Sequence, residues 1–279
     1  MEFSSISALA AFWEVRILPP SGTMPTVEVI LRWIHFLAGI TWIGLLYFFN
    51  LVNVPFMKEL DAPTKGKVIP ALMPKALWWF RWGALMTVLA GVTYWYIIVD
   101  TDARNGGAGA GMAIGSFFGI WIVAWAIEAG MILVGKGALN KGWFLAVFIA
   151  ALVYGAGRIY LNLNGHGWES SRMLSIAVGG GIGIIMLLNV WGIIWRNQKK
   201  IIAWTKANAA DGTPVPAESA KLARQAFLAS RANTWLSLPM LFFMASASHY
   251  AFLVQETPDR RNGPPQRRGP YFLGGMGGM

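Results

Sequence analysis

Residues 112–135, MAIGSFFGIWIVAWAIEAGMILVG, decide the fold, because they run for 24 residues with Glu128 as the one ionisable side chain. About 20 apolar residues in a helix cross ~30 Å of hydrocarbon, so this stretch reads as a transmembrane helix. Four further runs, 77–99, 143–163, 173–195 and 235–254, have the same character. A sixth, 27–54, is interrupted by Arg32, His35, Asn50 and Asn53. The expected fold class is therefore all-α, a polytopic transmembrane helix bundle of about six spans, with the membrane domain covering 27–254.

Composition agrees. Hydrophobic residues make up 56% of the 279, charged residues only 13%, and the chain holds 15 Trp and 16 Phe. Soluble domains carry about 25% charge, so the deficit points to a large lipid-facing surface. There is no cysteine. That excludes disulfides, thiolate metal sites, iron–sulfur clusters and covalently attached c-type haem. The net charge of +10 sits largely in the loops between apolar runs, which makes it a topology signal and gives no reason to expect nucleic acid.

Thirteen Lys and Arg, from Lys58 to Arg231, fall after spans one, three and five. The opposite side has Arg16, Arg104, Arg172 and the tail residues Arg260, Arg261, Arg267 and Arg268. The positive-inside rule then predicts a multi-pass protein of a bacterial-type inner membrane with both termini outside the cytoplasm. Trp78, Trp79, Trp82, Trp143, Trp168, Trp195 and Trp235 fall near span ends, where an indole buries its ring and keeps its N–H wet.

The flanks read differently. Met1-Glu2 lacks a basic region and the first apolar stretch contains Glu14 and Arg16, unlike a cleaved signal peptide. Residues 4–18 are too short to span and read as an interfacial helix ended by Pro19-Pro20, within an N-terminal segment 1–26. In the long inner loop, 217–233 has the apolar rhythm Ala220, Ala223, Phe227, Leu228 and carries Lys221, Arg224 and Arg231. It is expected to form an amphipathic helix, lying on anionic membrane lipid or docking a partner. The tail, 255–279, is rich in Pro, Gly and Arg and too poor in apolar residues to build a core. Its Tyr271-Phe272-Leu273 is a candidate contact for another subunit.

Ionisable groups inside a bilayer are costly and mark sites first. Here they are Arg32, His35, Arg81, Glu128, Arg158 and His249. Arg81 and Glu128 are predicted at similar depth, where they could pair, as mutual neutralisation or as a proton or substrate site. His35 and His249 are predicted to share a layer near the outer face. Two imidazoles facing across a bundle suit the axial positions of a b-type haem, which needs no cysteine; hydrogen-bonded helix packing is the alternative. His166, in a loop, reads as solvated. AVGGGIG at 177–183 strips side chains from one helix, admitting a second helix or a flat ligand. No P-loop, dinucleotide fingerprint, HExxH or serine elbow is present.

RWIHFLAGITWIGLLYFFN at 32–50, ALWWFRWGALMTVLAG at 76–91, SIAVGGGIGIIMLLNVWGIIWRNQKKI at 175–201 and LASRANTWLSLPMLFFMASASHY at 228–250 resemble, in order, the membrane domain of the cytochrome-c-linked, membrane-bound urate oxidase (urate hydroxylase) family. The resemblance covers about 30–253. It implies an oxidoreductase fold in which histidines hold haem or substrate, but the family carries histidine where this chain has Ala177 and Ala232. It also implies an appended periplasmic cytochrome c domain, whose place the tail occupies here without Cys-x-x-Cys-His. Two functions follow as expectations. One is a redox-derived membrane subunit holding one haem b through His35 and His249 and relaying electrons to a separate cytochrome c. The other is a non-catalytic accessory subunit of a larger membrane complex. Transport, resting on the Arg81, Glu128 and Arg158 charges, ranks behind both for want of an inverted repeat.

Overall fold

The structure is a computed structural model that describes residues 19–135 and 141–253. The predicted interfacial helix 4–18 and the tail 255–279 lie outside the described residues.

Among the described residues eight helices follow in order: α1 Thr23–Tyr47, α2 Val54–Glu59, α3 Ala62–Asn105, α4 Gly111–Val134, α5 Gly142–Leu163, α6 Ser171–Asn189, α7 Trp195–Asp211 and α8 Glu218–His249. Wider π-helical turns, Phe48–Asn53 and Val190–Ile194, join α1 to α2 and α6 to α7 without a break. Among the described residues five continuous helical stretches are long and apolar enough to cross a membrane: Thr23–Glu59, Ala62–Asn105, Gly111–Val134, Gly142–Leu163 and Ser171–Asp211. In hydrocarbon every backbone N–H and C=O must be paired internally, which is why these segments are helical throughout.

The sixth predicted span, 235–254, falls in the second half of α8, which is not among these five stretches. It ends five residues early, at His249, beyond which Tyr250 is extended. The spans also run further on the basic side than their apolar stretches do. Span two begins at Ala62 and span five continues to Asp211. Asp61 caps α3 by accepting the Thr64 N–H at 2.8 Å, and Gly212, at φ 75°, ends α7 in the left-handed region that glycine takes most readily.

The helix expected at 217–233 forms, and it continues without a break through 235–249 as one helix, α8. Its inward face is engaged by protein. Asn197 on α7 donates to Gln225 Oε1 at 3.2 Å and to Leu222 O at 3.2 Å, and Gln225 donates to Leu133 O at 3.1 Å. α3 packs on α7 at the same end, where a Cβ on Gly66 would stand 3.1 Å from Ala209. The basic end is thus a short stalk of helices.

α6 is the central helix: 78% of its most apolar stretch is buried inside the bundle, against 11% for the stretch beginning at Thr23. It packs chiefly on α8, and also on α3 and α4, while α1 lies on α3. At its far end Ser170 caps α6, accepting the Met173 N–H at 3.1 Å and donating its own hydroxyl to Asp102 on α3 at 2.6 Å.

The glycines at 179–181 show how α6 is gripped. Lipid tails are as apolar as leucine, so helices associate by close packing, which small residues permit. A Cβ on Gly181 would stand 2.0 Å from the Trp121 ring of α4, and one on Gly179 would stand 3.0 Å from Phe243 Cβ and 3.2 Å from Met240 O of α8. Trp121 is fully buried. Of the two occupants read from the sequence, a second helix takes this place, and no flat ligand has room beside Gly181. By contrast, a Cβ on Gly183 would meet nothing within 4 Å. Gly181→Ala is expected to lower stability by about 1–3 kcal/mol through overpacking, whereas Gly183→Ala should leave the thermal midpoint unchanged or raised. Equal midpoints for the two purified variants would contradict this seating of Trp121.

Candidate functional site

Two constellations of polar side chains among the described residues bear on a site. The first is the histidine layer. Tyr47 and Ser237 hydrogen-bond across α1 and α8 at 3.0 Å. Each histidine stands twelve residues further along its helix, from 47 to 35 and from 237 to 249, a rise of about 18 Å. Their depths are comparable.

Their surroundings differ. His35 is half-buried and its Nδ1 lies 2.8 Å from Thr87 O on α3. The ring rests on Gly91, where a Cβ would come within 2.8 Å of Nδ1. A ligating histidine commonly gives one ring nitrogen to a carbonyl and offers the other, and the Nδ1 contact would leave the Nε2 of His35 for such a role. His249 does not complement it. It is exposed, on the last residue of α8 rather than a turn and a half inside. Ala177 is fully buried and Ala232 nearly so, which leaves methyl groups at the two positions where the resemblance implies histidines. The residues present fit one haem ligand and do not fit a bis-histidine haem within the chain. Among the described residues no group of three His, Cys, Asp or Glu could hold a metal ion. His166 is more organised than a solvated loop residue: its Nδ1 and its N–H meet the Glu169 carboxylate at 3.1 and 3.0 Å, and the Gly167 N–H donates there as well.

The second constellation is a polar belt toward the basic end. Glu128 on α4 is completely buried, and its Oε1 accepts the Asn189 side-chain N–H of α6 at 3.0 Å. Asn189 also donates to Asn233 Oδ1 on α8 at 2.9 Å and accepts from Trp125 Nε1 at 3.2 Å. Asn233 closes back on α6 by donating to Met186 O at 2.9 Å. One turn away on α8, Ser230 accepts from Asn50 of the first π-helical turn at 2.8 Å. The belt therefore links α4, α6 and α8 and, through Ser230, the π-helical turn that follows α1. Glu128 Oε2 has no partner among the described residues.

Arg81 does not pair with Glu128. Its guanidinium lies over the Trp195 ring at 3.9 Å, with Trp191 and Trp82 at 5.6 and 6.0 Å, and the Trp191 N–H donates to Arg81 O at 3.2 Å. Cation–π contact with three indoles replaces the predicted ion pair. Glu128 stood out in the sequence through its charge. Asn189 passed unremarked because a neutral amide hardly disturbs an apolar run, and Asn233 because it lies just before the run 235–254, in what read as the inner-loop helix.

A multi-helix membrane domain with isolated intramembrane polar sites is thus the class that fold and site define. The family model described as Urate oxidase N-terminal matches residues 60–259, more than half of the chain, and the chain belongs to that family. No curated protein and no solved structure matches it.

Glu128→Gln keeps the size and the acceptor and removes no hydrogen bond to Oε2, so stability should change by less than about 1 kcal/mol. Asn233→Leu strands the Asn189 amide and the Met186 carbonyl and should cost about 1–2 kcal/mol. Unfolding of the two variants in matched detergent checks the order. The reverse order would show that the belt is not held together through Asn233.

Proposed function

We propose that the chain is a redox-derived membrane subunit that works within a larger membrane assembly and does not oxidise urate alone. The observation that carries this reading is the open histidine layer: His35 is turned to the α1/α3 contact, His249 stands exposed at a helix end, and Trp121 fills the glycine slot. Family membership supports the redox ancestry. A fold hosts sites without guaranteeing them, so the activity of a family does not follow from its helices. Exposed apolar side chains at Trp33, Phe36 and Ile40 on the sparsely covered α1 supply surface for a neighbouring subunit.

A second reading, one haem b relaying electrons to a separate cytochrome c, is favoured by the His35 Nδ1 contact with Thr87 O. It requires the opposite axial ligand from outside the described bundle.

Extraction in mild detergent followed by native mass spectrometry tests the assembly. The expected species is heavier than one chain and contains a second polypeptide. A monomer that oxidises urate when only soluble cytochrome c is added would overturn the proposal.

A further inference from the structure

We propose that the groove between α5 and α8 seats one anionic phospholipid from the leaflet on the basic side, its phosphate held by Arg231 and its acyl chains laid along the apolar walls. α5 touches α6 and α8 only sparsely, and the gap is a groove of about 940 Å³. Leu145, Ile149, Val153, Val178, Ile182 and Leu236 line it.

Two guanidinium groups also line this apolar space, Arg158 and Arg231. Among the described residues neither is in an ion pair, and the half-buried Arg231 lies over the Phe227 ring at 5.4 Å. An uncompensated cation at the mouth of a hydrocarbon groove calls for an anion with an apolar body.

The level fits a headgroup. Arg231 lies one turn before Trp235 on α8, and Trp143 opens α5 on the opposite wall. These rings are 61% and 68% exposed, as indoles at a membrane interface are. Guanidinium binds phosphate through two parallel N–H bonds, which gives geometry as well as charge. A small soluble anion would make no use of the apolar walls, and a zwitterionic lipid brings its own cation to the guanidinium. Arg158 lies 15 residues along α5 from Trp143, about 22 Å away. It is exposed and reaches the opposite headgroup region, so it does not share the phosphate.

The test uses the purified full chain, stripped of lipid by detergent exchange, in nanodiscs of phosphatidylcholine with graded phosphatidylglycerol. Native mass spectrometry counts the lipids retained on release. Wild type is expected to keep one phosphatidylglycerol over phosphatidylcholine by about fivefold. Arg231→Gln should abolish that preference and Arg158→Gln should retain it. An unchanged preference in Arg231→Gln, or none in wild type, overturns the proposal. Should Arg231→Gln fail to fold, hydrogen exchange of wild-type residues 143–153 decides: phosphatidylglycerol is expected to slow it relative to phosphatidylcholine, and equal rates overturn the site.

Discussion

Helices dissolved in lipid gain little by hiding apolar side chains from one another, so what holds a bundle together is how closely their surfaces approach. In this protein that approach is set where α6 presents Gly179, Gly180 and Gly181 to its neighbours. The Trp121 ring from α4 occupies the space that a Gly181 side chain would take, and Phe243 and the Met240 carbonyl of α8 close on Gly179. α6 becomes the axis, buried along most of its length, and α4 and α8 take their positions from it. The placement of the polar belt follows, because Glu128 lies on the same helix as Trp121, two turns on, and Asn189 lies below the glycines.

That belt answers a second constraint. Polar groups at membrane depth need partners, and a carboxyl group needs them most. Glu128, Asn189 and Asn233 bind three helices through amide hydrogen bonds rather than through an ion pair, while Arg81 lies separately against tryptophan faces, its Nε without a hydrogen-bond partner among the described residues. π-helical turns often mark functional positions, and here both adjoin belt asparagines: Asn50 lies within the first and Asn189 directly precedes the second.

Much of the fold was legible in run lengths and loop charge, since ~20 apolar residues have few other uses. Helix ends were less so. Lys65, Lys67, Lys199 and Lys200 read as loop because charge leaves the bilayer where they occur, yet the helices continue into water and pack on one another. The missed pairing at Glu128 has the same root: depth can be counted along one helix, but azimuth, which decides whether Arg81 faces Glu128 or Trp195, depends on packing that a single sequence does not display. The histidines repeat the lesson, equal in depth and unlike in facing.

Family membership supplies ancestry, and the side chains narrow what remains of it. One imidazole has its Nδ1 on a backbone carbonyl; the other stands exposed at a helix end, and two alanines are buried where the resemblance implies histidines. The central claim is that the chain alone does not close a bis-histidine haem site. The reduced-minus-oxidised optical spectrum of the purified chain, supplied with haem b, tests it most directly. The account predicts no low-spin, six-coordinate signature from the isolated chain; such a signature, abolished by either His35→Ala or His249→Ala, would contradict it.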